Sequence, residues 1–121
     1  MPVDYAMFLL RQLDDPNVIV LVAENHGDVL GYVYANLEGY DYMALRGPAG
    51  VVQDLVVDVE FRSRGVGRLL LDAALAALES LGAPKIVLST AERNDAAQEL
   101  FTSAGFRRTM VEMTPEVPRG S

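Results

Sequence analysis

Between Val51 and Leu81 the chain passes from an apolar, β-branched run, through a loop rich in arginine and glycine, straight into a long amphipathic stretch. Val51 to Val57 reads as a strand buried on both faces. Arg64 to Gly67 turns the chain. From Arg68 to Leu81 the apolar positions Leu70, Leu71, Ala74, Leu75, Leu78 and Leu81 recur with the helical period, until Gly82-Ala83-Pro84 stops them. Lys85 to Ser89 reads as a second short strand. Strand, helix and strand in that order form a crossover joining a parallel pair, which commits the chain to an α/β sheet.

The flanks add to that unit. Tyr5, Phe8, Leu9 and Leu13 recur at spacings of three and four, which predicts a short opening helix stopped by Asp14-Asp15-Pro16-Asn17. Val18 to Ala23 and Val29 to Leu37 read as a hairpin around the polar turn Glu24 to Asp28. A loop with Gly39, Gly47, Pro48 and Gly50 leads into the crossover. Beyond it, Asn94 is a good helix cap. Ala97, Leu100, Phe101 and Ala104 form the next buried stripe, Gly105 closes that helix, and Arg107 to Met113 alternates as a final strand. Met7, Met43, Met110 and Met113 read as core or gap-filling side chains. The expected architecture is α/β (α+β): a mixed, mostly antiparallel twisted sheet of about five strands, with a central parallel pair and helices on both faces. Residues 1–118 read as one domain, and Arg119-Gly120-Ser121 resembles a cloning scar.

Charge and composition narrow the partners. Ten Lys and Arg stand against 17 Asp and Glu, a net charge of −7. That balance argues against a nucleic-acid binder, which works by neutralising phosphates, and suits a cationic substrate. With no cysteine and a single histidine, disulfides, thiolate zinc sites and a cysteine nucleophile are excluded, and His26 in its polar turn lacks fellow ligands, so no metal is expected. No apolar run reaches the roughly 20 residues of a membrane span, and Met1-Pro2-Val3-Asp4 does not open a signal peptide. No membrane contact and a cytoplasmic location are therefore expected.

The loop Arg62-Ser63-Arg64-Gly65-Val66-Gly67-Arg68 carries the chemistry. It opens directly into a helix whose first amides have no intrahelical partners, glycine lets an anion approach the backbone, and the arginines supply charged donors. A pyrophosphate suits such a site. A Walker A loop would need Lys-Ser/Thr after Gly67, where Arg68-Leu69 stands. A dinucleotide fingerprint would need a glycine at Leu70 and an acid at the end of the next strand, where Ser89 and Thr90 stand.

The loop resembles the signature of the GNAT superfamily of acetyl-CoA-dependent N-acetyltransferases: Arg or Gln, two residues, Gly, one residue, then Gly or Ala. Arg62 to Gly67 fits every position, and Asn94-Asp95-Ala96-Ala97-Gln98-Glu99-Leu100-Phe101-Thr102-Ser103-Ala104-Gly105-Phe106 is similar to the family's second motif. The resemblance covers about residues 51–113 and implies acetyl transfer from acetyl-CoA to a primary amine by direct attack in a ternary complex, with no metal. It implies that the central strand splays from its parallel neighbour at a bulge and that pantetheine lies in the gap. Leu55, Val56 and Val57 would then orient the thioester and stabilise its oxyanion through backbone amides. Arg62, Arg64, Gly65, Val66, Gly67, Arg68 and Leu69 would hold the pyrophosphate, and Asn94 would meet the pantetheine arm.

Presenting a lysine-like amine as its free base at neutral pH costs about 4–5 kcal/mol, so a group must take that proton. Asp54, in a region where relatives often carry an acid, is the candidate base. Tyr32 and Tyr34 share one face of a strand and are candidate acceptor contacts. Two departures stand out. Many relatives carry a proton-donating Tyr where this chain has Phe101, which leaves a second reading, a non-catalytic acyl-CoA-binding or regulatory module. Relatives also usually begin with an additional strand and helix, so an opening strand is expected to be missing here, and a homodimer is expected to complete the cleft around a small-molecule or peptide amine.

Overall fold

The sheet grows outward from a tight hairpin. Strand β2 (Val18–Asn25) and strand β3 (Asp28–Glu38) are joined by His26 and Gly27, with φ of 51° and 86°. Two successive positive φ angles define a two-residue turn whose twist matches that of the flanking strands. The computed structural model describes residues 6–10, 15–43, 45–62 and 64–118. Within them the sheet has five strands in the order β1-β2-β3-β4-β5, with β1 at Ala6–Leu10, β4 at Ala49–Val57 and β5 at Ile86–Leu88. The first three pairings are antiparallel and β4 with β5 is parallel. The crossover between that parallel pair is helix α1 (Val66–Ser80), and helix α2 (Asp95–Ser103) follows β5.

Both helices end as their glycines dictate. After α1, the Gly82 and Ala83 amides donate to the carbonyls of Glu79 and Leu78, with Gly82 at φ 87°. After α2, Gly105 and Phe106 repeat the arrangement onto Thr102 and Phe101, and the Phe106 ring meets that of Phe101 edge-on at 6.1 Å. Each is a Schellman closure, the second with the apolar contact that usually accompanies it. Val66, Leu70, Leu71, Ala74 and Leu78 line the buried stripe of α1 and meet Ile19, Leu21, Val33, Ala35 and Val52 of the sheet. Burying each leucine contributes about 1.5–3 kcal/mol.

The structure departs from the sequence expectations in five places. The opening segment is not a helix: residues 6–10 pair with β2 in the register Ala6↔Glu24 to Leu10↔Val20, so an opening strand is present rather than missing. Tyr5 and Leu13 lie outside the described residues. An unbroken run of five apolar residues suits a short strand as well as a helix, and pairing satisfies the backbone edge that β2 would otherwise expose. Arg107 to Met113 forms no strand; it runs exposed, with no ladder partner among the described residues. Met43, Met110 and Met113 are exposed rather than core. The helices do not flank both faces: Leu100, Phe101 and Ala104 of the α2 segment pack against the same cluster as α1, and Tyr32 and Val56 on the opposite face remain exposed. Finally, β4 is fully buried only from Ala49 to Val52, and from Gln53 onward it alternates between exposed and half-buried.

Candidate functional site

That change along β4 has two causes, both in the backbone. First, β5 pairs with β4 only at Gly50↔Ile86, Val51↔Val87 and Val52↔Leu88, so among the described residues no strand pairs with the β5-facing edge of β4 from Gln53 to Val57. Second, the pairing of β4 with β3 shifts register between Tyr34↔Asp54 and Ala35↔Val52, leaving Gln53 as an extra residue. One inserted residue bends a strand and sharpens its twist. The parallel pair therefore opens beyond Val52 into a cleft of about 220 Å³, lined by Gln53, Asp54 and Leu55 on one side and by Leu88, Ser89, Thr90, Asn94 and Phe101 on the other. It lies at the carboxyl ends of parallel strands, where α/β sheets bind ligands.

The unpaired edge leads into the arginine–glycine loop. Asp58 caps a single 3-10 turn, Val59–Phe61, by accepting from the Glu60 amide at 3.0 Å. Arg62 Nε donates back to the Val57 carbonyl at 3.1 Å, tying the loop to the end of β4. Gly65 is the N-cap of α1 at φ 85°, with no side-chain cap and open space where a Cβ would stand. Only glycine adopts that conformation without strain, and the first amides of α1 are left without a side-chain cap. Gly67 serves packing instead, since a Cβ there would lie 3.3 Å from Leu100 Cδ2.

The arginines divide the same way. Arg64 lies over the Phe61 ring, 5.6 Å from its centroid. Arg68 pairs with Asp72 at 3.0 Å and donates to the Ser103 carbonyl and hydroxyl at 3.3 and 3.2 Å, locking α1 to α2. Asn94 caps α2 by accepting from the Ala97 amide at 3.1 Å, while its own amide group has no partner among the described residues and lies in the cleft wall. Asp54 forms no hydrogen bond or ion pair among the described residues and is exposed at the cleft, directly opposite Tyr34 in the β3 register. Tyr32 stands opposite Val56, two positions further along. Neither tyrosine lines the cleft; both lie beside it on the helix-free sheet face. Among the described residues no group of His, Asp and Glu could hold a metal ion, and no helix is long and apolar enough to cross a membrane.

Sequence reasoning missed three cleft residues. Ser89 and Thr90 follow the last paired residue of β5, and their position at the end of a parallel strand was the available signal. Gln53 is the bulge residue, and its Nε2 donates to Asn36 Oδ1 and Glu38 Oε2, both at 2.9 Å. A polar residue interrupting the apolar run Val51 to Val57 was its mark in the sequence.

A sheet opened at a bulge, with the open edge delivered into an uncapped helix, is the geometry expected of the resemblance. The chain belongs to the acetyltransferase (GNAT) family, whose model matches residues 2–106. It is 40% identical over 96 residues to a mycothiol acetyltransferase of Thermobispora bispora, covering 76% of this chain and 31% of that protein. A mycothiol acetyltransferase of Propionibacterium freudenreichii is 30% identical over 92 residues, covering 76% and 28%. The chain thus spans under a third of the length of these curated relatives. Its fold is similar to that of an aminoglycoside N-acetyltransferase, AAC(6')-Iy, in complex with CoA, with a TM-score of 0.75 at 20% identity over 88% of this chain and 80% of the other.

Proposed function

We propose that this chain transfers an acetyl group from acetyl-CoA to a primary amine. The observation that carries the reading is the β5-facing edge of β4 beyond Val52, which no strand among the described residues pairs with, running into the uncapped first turn of α1. The amides of Leu55 and Val57 face that edge, while the Val56 amide turns to β3, so Leu55 and Val57 orient the thioester and stabilise the charge that develops on its oxygen. The Gly65 to Leu69 backbone holds the pyrophosphate, with Arg62 and Arg64 adding charge at the rim, and Arg68 positions the two helices that frame the site. The free amide group of Asn94 meets the pantetheine arm. CoA in a structural neighbour and the acetyltransferase names of the relatives support the choice of cosubstrate.

Asp54 accepts the proton of the attacking amine. The C–N bond forms, the C–S bond breaks, and the departing thiolate takes a proton from water or from the hydroxyl groups of Ser89 and Thr90, because Phe101 has none to give. The acceptor enters from the face bearing Tyr32, Tyr34 and Asp54, and a carboxylate there favours a cationic amine. A non-catalytic acyl-CoA-binding role is the second reading, favoured by the Phe101 ring in the cleft wall. Thiol release from acetyl-CoA, followed across a panel of aminoglycosides, polyamines, amino sugars and peptide N-termini, tests the two. Amine-dependent release that Asp54→Asn abolishes supports transfer. Tight CoA binding with no release for any amine supports the second reading.

A further inference from the structure

Val52 and Leu55 of β4 both pack against the helix-side core. Strict alternation puts residues three positions apart on opposite faces of a strand, so one of the two residues between them must be extra. The core therefore demands a bulge, but it does not choose between Gln53 and Asp54. If the slip fell one residue later, Gln53 would stand opposite Tyr34 and Asp54 would be the extra residue, while Ala35↔Val52 on one side and Val33↔Leu55 on the other stayed as they are. Only the placing of the Asp54 carboxylate depends on the choice.

The side chain of Gln53 makes that choice. Its Nε2 gives one hydrogen to Asn36 Oδ1 and the other to Glu38 Oε2, both at 2.9 Å. Asn36 and Glu38 follow Tyr34 at two-residue steps along the same face of β3, so these bonds draw Gln53 along the strand, away from the place opposite Tyr34. Glu38 is itself held in position, because its other oxygen, Oε1, meets Arg46 at 3.4 Å, and the same guanidinium reaches Asp41 Oδ2 at 3.4 Å. Moving the bulge by one residue carries Gln53 toward Tyr34 and gives up both bonds. An ionised aspartate has no hydrogen with which to replace them, and its charge is repelled by that of Glu38. We propose that Gln53 is a positioning residue for Asp54: by bonding Asn36 and Glu38 it becomes the extra residue of the bulge, and Asp54 is left as the carboxylate opposite Tyr34 at the cleft. The proposal rests on the acetyl-transfer reading above, in which Asp54 takes the proton of the attacking amine.

Gln53→Glu keeps the size of this exposed side chain and sets a carboxylate against Glu38. Adding Glu38→Gln exchanges donor and acceptor and rebuilds the bond in the opposite sense. Gln53→Glu is expected to lower kcat for amine-dependent thiol release by about 10–100-fold. Its acetyl-CoA Kd should stay within about twofold, since the pairing from Leu55 onward is common to both positions of the bulge. The exchanged pair should recover most of the lost rate, which a general loss of stability would not allow. The register is read separately, in the unliganded protein, from nuclear Overhauser contacts across the ladder: Tyr34 should meet Asp54 in the wild type, and residue 53 in Gln53→Ala and Gln53→Glu. Variants that keep the Tyr34–Asp54 contact overturn the proposal, as does a folded exchanged pair that recovers no rate. A wild type whose contact is lost in the variants, but which releases no thiol with any amine, contradicts the acetyl-transfer reading alone, and the assignment of Gln53 stands.

Discussion

At the residue scale, Asp54 and Gly65 are the positions on which the functional account rests. Asp54 is exposed at the bulge with no hydrogen-bond or ion-pair partner among the described residues, so its replacement tests the proposed proton acceptor without unbalancing a network. Asp54→Asn is expected to lower kcat by about 10²–10⁴-fold while leaving the acetyl-CoA Kd within about twofold, measured by thiol release and calorimetry. Gly65→Val places a β-branched side chain at φ 85°, a conformation costing about 1–3 kcal/mol, and fills the open space there. CoA affinity should fall by at least about tenfold with a cooperative fold retained, as calorimetry and thermal melting will report. Phe101→Tyr puts a hydroxyl at the cleft wall, and is expected to preserve the fold and raise turnover in the thiol-release assay. Gly65 as the turn into α1 and Asn94 as the cap of α2 were legible because each residue type has few alternative uses at its position. Gln53, Ser89 and Thr90 were not, since side chains of ordinary polarity acquire meaning only where strand pairing stops.

At the element scale, β4 and α1 do separate work. The first half of β4 is core and the second half is cleft, and the boundary falls where the three-residue β5 ends. The sequence shows one apolar run across both halves, because period and composition do not report how long the neighbouring strand is. The same blindness explains β1 and the 107–113 segment. Ala6 to Leu10 became a strand because β2 offered an edge, while Arg107 to Met113, with the better alternation, stayed unpaired. Helix α1, by contrast, was read almost to its ends, since fifteen residues of clean periodicity closed by Gly82 leave little to tertiary context. Leu70 is fully buried against the sheet, so Leu70→Ala is expected to cost about 2–5 kcal/mol in urea unfolding. Deleting Gln53 restores a regular β3–β4 ladder and is expected to abolish acetyl-CoA binding while thermal stability stays within a few degrees.

At the scale of the whole molecule, the fold is a sheet with its helices on one face and an opening between β4 and the end of β5. That opening joins a bulged strand edge to a helix N-terminus, and the family relationship bears on it. In a chain of net charge −7, three of the ten basic residues, Arg62, Arg64 and Arg68, fall together at the start of α1, which makes that run informative.

The most direct test of the central claim is a calorimetric titration of the protein with acetyl-CoA, with CoA and NADH as comparisons. The account predicts saturable one-to-one binding of acetyl-CoA and CoA, lost together in Gly65→Val, and no heat with NADH. Absence of binding by either CoA species, or binding that Gly65→Val leaves unchanged in a folded protein, would contradict it.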